Sequence, residues 1–243
     1  MKLRMKAVML FFMSVFLYSC ENQPIEKTEV TLQKVGEIHN YLLKKAHTSA
    51  SPQLILLNKK EDATIGEYFH AFKEILLNDD KYYYNESFLT SSLDDYLYFF
   101  EDFMTIKVNT HFLENARKLL FEKLENDENI STEVIEVLRK VSDIKYSYTD
   151  DELKLAISRS NPSEGSDLIF AFNEVAKASS CYWSSSYPIT RDSSNRTIII
   201  ADGIGGVLGA FCGGVMSVIW GAAFSYSMDM CLEPEPYQNQ QLI

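Results

Sequence analysis

The chain has 243 residues, of which 23% are charged, and a formal net charge of -11 at pH 7. Loss of the basic N-terminal segment described below would remove three positive charges, leaving about -14. A chain this acidic repels phosphate backbones and anionic lipid headgroups, so its composition argues against nucleic-acid binding and against electrostatic docking on membranes.

The first twenty residues have the pattern of a bacterial lipoprotein signal peptide. Three of the first six residues are basic, and residues 7–18 form an uncharged apolar run too short to span a bilayer. The run ends in Leu-Tyr-Ser-Cys, which resembles the lipobox, although Tyr18 is larger than the residue usual there. We predict a signal peptide over residues 1–19 and lipidation at Cys20. An ordinary signal peptide cut at another bond is the alternative.

Residues 20–29 are polar and predict a tether, and residues 30–180 predict a helical domain. Apolar residues recur there at helical spacing, and no useful length alternates with the period of two expected of strands. Thr64 with Glu67 has the spacing of a capping box, as has Thr149 with Glu152. The pattern predicts an all-α fold, an irregular bundle of about seven helices around one core.

Candidate catalytic, cofactor or metal residues are hard to find. Glu67 and His70 have the E-x-x-H spacing of di-iron bundles, but such sites need a second copy and two more glutamates. The aromatic-rich stretch 82–103 could stack on sugars or peptides, but core packing explains it as well. The motifs G-x-S-x-G, H-E-x-x-H and the P-loop are missing. We predict no enzyme, cofactor or metal site; an active site assembled from distant residues is the competing class.

Residues 181–196 contain five serines together with Pro188, Asp192 and Asn195, and they predict a linker. Residues 197–228 are apolar, and residues 229–243 form an acidic, polar tail. Small residues recur every four positions in the apolar segment: Ala201, Gly205, Gly209, Gly213, Ser217, Gly221 and Ser225. On a helix this spacing forms one stripe that lets another backbone approach closely, as in the glycine zippers of membrane proteins. Because each glycine disfavours an isolated helix by about 1 kcal/mol, the segment needs a packing partner.

The zipper could self-associate, enter a membrane, or fold back as a hairpin onto the helical domain. A dinucleotide-binding turn is excluded, since Leu208 stands where the third glycine should be. The acidic residues after the segment and the arginines before it oppose a single membrane crossing. A hairpin would leave Cys181 and Cys231 in one oxidising compartment, which makes them a candidate disulfide.

Three short sequences carry a family resemblance in addition to the lipobox. They are Ile38-His39-Asn40 in the first helix, Tyr182-Trp183-Ser184, and Asp202 at the start of the glycine-rich segment. With them the chain resembles uncharacterised glycine-zipper lipoproteins of Bacteroidota. The resemblance implies an envelope lipoprotein and brings no catalytic residues.

We therefore expect a non-enzymatic lipoprotein of the cell envelope, anchored in the outer membrane through Cys20. Its helical domain would serve interaction, and its zipper would self-associate, bind a partner helix or insert into a membrane. The alternative is a membrane-active protein, toxin-like or bacteriocin-like, whose zipper hairpin inserts into a target bilayer.

Overall fold

A computed structural model describes residues 28–29, 34–48, 51–83, 100–143, 166–186, 192–211 and 214–232. Several predicted features lie wholly or partly outside these ranges: the signal peptide, the lipidation site Cys20, tether residues 20–27, most of the aromatic stretch 82–103, the capping box at Thr149, the zipper residue Gly213, and the tail beyond residue 232. The first four residues of the predicted tail, 229–232, are helical instead.

The described chain folds as a bundle of packed helices, which confirms the all-α prediction. In chain order the helices are α1 (Val35–Thr48), α2 (Pro52–Leu57), α3 (Ile65–Leu77), α4 (Phe112–Glu125), α5 (Thr132–Val141), α6 (Ser166–Ser186), α7 (Asp192–Ala210) and α8 (Gly214–Leu232). Residues 100–104 are also helical. Two short strands, β1 (Thr28–Glu29) and β2 (Tyr82–Tyr83), pair in parallel.

Local sequence signals account for where several helices begin. At the start of α3 the backbone N–H of Thr64 donates to Glu67 Oε2 at 3.0 Å, the second half of the expected capping box. At the start of α5 the Ser131 hydroxyl accepts from the backbone N–H of Val134 at 3.4 Å. Both helices then turn an apolar stripe inward and leave their charged residues in water.

Helices α7 and α8 form an antiparallel hairpin inside the bundle. Helix α6 packs along α7, while α1 and α3 pack on α8. Every residue from 201 to 209 and from 216 to 229 is buried. Aromatic side chains close the contact on the α3 side, where the Trp220 ring lies 4.6 Å from Phe69 and 5.5 Å from Phe100, between centroids. The apolar segment is thus the core of the described fold.

The expected linker over residues 181–196 is a point of correction. Helix α6 continues to Ser186 and α7 already begins at Asp192, so much of that range is helical. Trp183 supplies the physical reason, since its side chain is fully buried and its ring lies 5.8 Å from His47. Burial of a large ring outweighs the weak helix propensity of the serines around it.

Membrane-spanning length is a separate question. No helix within the described ranges is both long enough and apolar enough to cross a bilayer.

Candidate functional site: a buried polar junction

The small residues of the zipper form the contact between the two arms of the hairpin. A Cβ added to Gly209 would lie 2.0 Å from the backbone N of Ser217, and one added to Gly205 would lie 2.5 Å from the carbonyl O of Trp220. The part of the stripe in α7 therefore packs on the part in α8. Two backbones meet where a side chain has no room.

Glycines on other faces of the hairpin admit the neighbouring helices. A Cβ on Gly206 would lie 3.1 Å from the Cβ of Val175 in α6. A Cβ on Gly221, a member of the predicted stripe, would lie 3.1 Å from both His39 Cδ2 of α1 and Val175 Cγ1. Gly221 thus makes room for a histidine ring as well as for the opposite arm of the hairpin.

That ring belongs to a polar junction enclosed by four helices. Its members are His39 of α1, Ser179 and Trp183 of α6, Asp202 of α7 and Ser225 of α8, and each is 0% exposed. The Ser179 hydroxyl donates to Asp202 Oδ2. Trp183 Nε1 donates to Ser225 Oγ at 3.3 Å. His39 Nε2 lies 3.7 Å from Asp202 Oδ2.

The hydrogen bonds of Asn40 determine which nitrogen of His39 carries hydrogen. Asn40 Nδ2 donates to the Ala178 carbonyl at 2.8 Å, which leaves Asn40 Oδ1 as the atom facing His39 Nδ1 at 3.0 Å. Because Oδ1 can only accept, Nδ1 must donate. In the neutral ring Nε2 is then a bare acceptor, and it is the atom nearest to Asp202.

Burial shifts both titratable groups toward their neutral forms. Desolvation raises the pKa of Asp202 well above its ordinary range, against the opposing effect of hydrogen bonds from Ser179, Ser225 and Trp183. The charge of Asp229 raises it further. Desolvation also lowers the pKa of His39 to about 4. A charged form of either group would have to be stabilised in a dry interior, where charge is costly.

The junction contains Ser, His and Asp, but not in the order of a hydrolase. In a catalytic triad the serine hydroxyl donates to histidine, which removes its proton. Here Ser179 donates to the carboxyl of Asp202, so the hydroxyl is not directed at the histidine as a triad requires. All three side chains are fully enclosed, and a substrate could reach them only if the helices separated. The arrangement suits a structural contact between helices.

The E-x-x-H pair does not form a metal site. Glu67 Oε1 pairs with Lys60 Nζ at 2.5 Å, and its other oxygen caps α3. His70 is exposed. Across the described ranges, no three or more His, Cys, Asp or Glu side chains are grouped so that they could hold a metal ion.

The candidate disulfide is not formed in this structure. Cys181 is an exposed free cysteine and Cys231 a partly buried one. Desolvation raises the pKa of the Cys231 thiol to about 11, so it stays protonated near neutral pH. Cys212 lies outside the described residues.

In the sequence His39, Trp183 and Asp202 are parts of a family resemblance, and nothing in their spacing predicts that they lie in one junction. The available signal was the position of Asp202 inside an apolar run, because a carboxyl buried there needs polar neighbours. Which neighbours these are depends on tertiary packing. No protein-family model, curated protein or solved structure matches this chain, so its function has to be argued from its own residues.

Proposed function

We propose that the chain is a non-enzymatic lipoprotein of the cell envelope, anchored through acyl chains on Cys20. Its helical body would be an interaction module held at the membrane surface. The observation that carries the proposal is the N-terminal sequence, in which basic residues are followed by an apolar run and then by Leu-Tyr-Ser-Cys, ending at Cys20. The burial of the α7–α8 hairpin supports the proposal, because a hairpin enclosed by other helices is not free to hold the protein at a membrane. Attachment to the membrane would then depend on the acyl chains of the anchor.

The anchor would also keep the body near the bilayer. Seven residues, 21–27, separate Cys20 from β1. Fully extended, that length of chain spans roughly 25–30 Å. Strand β1 pairs with β2, and Tyr82 of β2 donates from its hydroxyl to Glu37 Oε1 of α1 at 3.0 Å. The tether would therefore join the body beside the start of α1.

Metabolic labelling with an alkyne fatty acid tests the anchor. We expect label on the N-terminal peptide of the mature protein and its loss in Cys20→Ala, together with release from membranes. Cys181→Ala is the matched control, because Cys181 is the exposed cysteine of the described ranges and could be acylated non-specifically. An unmodified Cys20 in mature, membrane-bound protein would refute the proposal.

A membrane-active protein is the second candidate, and the position of the hairpin favours it. An apolar hairpin wrapped by amphipathic helices could leave them and insert into a target bilayer. Dye release from vesicles by the full mature protein separates the two candidates. A lipid-anchored interaction module releases no dye, whereas a membrane-active protein does.

A cross-link between the hairpin and the body sharpens that test. The Cβ positions of residues 206 and 175 lie 3.1 Å apart, somewhat closer than the usual separation in a disulfide, about 3.8 Å. The double variant Gly206→Cys, Val175→Cys can therefore be compared with itself in oxidised and reduced form. Release of dye by the reduced form alone would show that the hairpin must leave α6. Equal release by both forms would contradict insertion of the hairpin.

A further inference from the structure

The polar junction leaves two buried atoms of titratable groups without hydrogen-bond partners among the described residues. They are His39 Nε2 and Asp202 Oδ1. His39 Nε2 is an acceptor, because Nδ1 is fixed as the donor by Asn40. A carboxylate is also purely an acceptor. Without a proton between them, the junction would therefore hold two acceptors facing each other at 3.7 Å in a dry interior.

A single proton shared between Asp202 and His39 would replace this repulsion between two acceptors with a hydrogen bond. A protonated Asp202 has an O–H that can donate to His39 Nε2 after a small rotation of the carboxyl group. Moved onto Nε2, the same proton would give an ion pair with an unchanged net charge. We propose that Asp202 and His39 hold one proton between them and that this proton fastens α1 to the α7–α8 hairpin, so the hairpin is held less firmly once the proton is lost to solvent.

The groups around the pair oppose its deprotonation. Helix α8 presents the buried Asp229, whose charge disfavours a carboxylate at Asp202. The same helix presents the Gly221 backbone, whose hydrogen bond to the His39 ring raises the pKa of His39 and so also favours retention of the proton. Helix α6 presents Ser179 and Trp183, which are neutral donors. Helix α1 presents His39 itself, with the neutral Asn40 beside it. Among these facing groups, His39 alone can supply positive charge.

The pair gives stability a characteristic dependence on pH. Between pH 4 and 6.5 the unfolded chain carries one proton on the pair, since free aspartate is ionised above 3.8 and free histidine is charged below 6.5. The folded pair also carries one, so its contribution is flat. Above pH 6.5 the unfolded pair carries none while the folded pair keeps its proton. Stability from the pair therefore falls as pH rises, and the unfolding constant grows about tenfold per pH unit.

Urea unfolding of the full mature protein across this pH range tests the idea with two variants. In Asp202→Asn the side-chain amide can donate to His39 Nε2 as the protonated acid would, but it does not titrate. Above pH 6.5 the unfolding constant of this variant should therefore lack the increase of about tenfold per pH unit that the pair contributes in wild type. In His39→Gln a protonated Asp202 stands alone. The decline should then begin near pH 4 instead of 6.5.

Asp79→Asn is the matched control. Asp79 is a buried aspartate that accepts hydrogen bonds from Lys45 Nζ and the Tyr41 hydroxyl. Desolvation tends to raise its pKa, but these donors and the backbone N–H groups of Lys81 and Tyr82 together outweigh it, and the pKa is lowered. This variant should leave the profile above pH 6.5 parallel to that of wild type.

Fluorescence of Trp183 supplies a readout that does not require the variants to match in stability. In Trp220→Phe protein, the remaining tryptophan is Trp183, whose indole N–H donates to Ser225 in the same junction. Its emission should shift with pH above 6.5 before the fold is lost, and Asp202→Asn should abolish that shift. Three results would each overturn the proposal. The stability profiles of Asp202→Asn and wild type could run parallel above pH 6.5, or the decline in stability of His39→Gln could still begin at pH 6.5. The third is a Trp183 emission that changes only when the whole protein unfolds.

Discussion

Gly209 makes the closest contact of the α7–α8 hairpin, and Gly209→Ala is the substitution that tests its packing most directly. The new Cβ would lie 2.0 Å from Ser217 N and 2.2 Å from Met216 C. These are backbone atoms, so the clash is relieved only when the two helices move apart by more than an ångström. Such a movement would also loosen the contact at Gly205.

The magnitude follows from two opposing effects. Overpacking a close contact costs about 1–3 kcal/mol and sometimes more, and separation of two whole helices belongs at the upper end. Alanine returns about 1 kcal/mol through its helix propensity. We expect a net loss of about 2–3 kcal/mol in the free energy of unfolding, or roughly 4–12 °C in Tm for a chain of this size. Gly209→Leu should lose more.

Gly221→Ala is the matched comparison in the same hairpin. Its Cβ would meet His39 Cδ2 and Val175 Cγ1, both at 3.1 Å, and these side chains need to move by only a few tenths of an ångström. The gain in helix propensity should offset that strain to within about 1 kcal/mol. Leu208→Met, a volume-conserving change in the core, should cost less than about 1.5 kcal/mol.

Urea denaturation followed by far-UV circular dichroism measures the free energy of unfolding in all these variants. Equal losses for Gly209→Ala and Gly221→Ala would show that close approach of the two backbones does not stabilise the fold. A stabilised Gly209→Ala would refute the packing of the hairpin outright.

Two further predictions concern single side chains. Desolvation lowers the pKa of His47 to about 4 from 6.5, so the unfolded chain binds a proton between these values that the folded protein excludes. Stability from His47 is therefore present above pH 6.5 and is lost as pH falls toward 4, by at most about 3 kcal/mol. His47→Gln should flatten this acidic decline in unfolding experiments, and an unchanged decline would count against desolvation of the partly buried ring. In Cys212→Ser protein, a maleimide should modify the exposed Cys181 at least about tenfold faster than the partly buried Cys231, whose thiol resists ionisation. Mass spectrometry of the two peptides measures the rates, and equal rates would contradict the burial of Cys231.

Local features of the fold were accessible from the sequence because they depend on neighbours along the chain. A capping box needs only Thr64 and the glutamate three residues later. The period of apolar residues that predicts a helical bundle follows from the covalent geometry of the helix. The same geometry explains why small residues four positions apart lie on one face. Each of these signals depends on residues about one turn apart along the chain.

Which helix packs against the small-residue stripe was decided by the tertiary structure. The stripe through Gly205 and Gly209 specified a close contact with some helix, and a second copy or a membrane helix would have satisfied the same pattern. Its other half, around Ser217 and Gly221, supplies that contact within the chain. Helix α7 ends at Ala210 and α8 begins at Gly214, so few residues separate the two arms and their association costs little loop entropy.

The polar junction shows the same limit in another form. The sequence places Asp202 within an apolar run, where a buried carboxyl needs polar partners, but it did not identify them. Burial then selected them from segments far apart in the chain, His39 from α1 and Ser179 from α6. A buried carboxyl is stabilised by whichever donors and acceptors the packing brings within a few ångströms, and spacing along the sequence does not encode that distance.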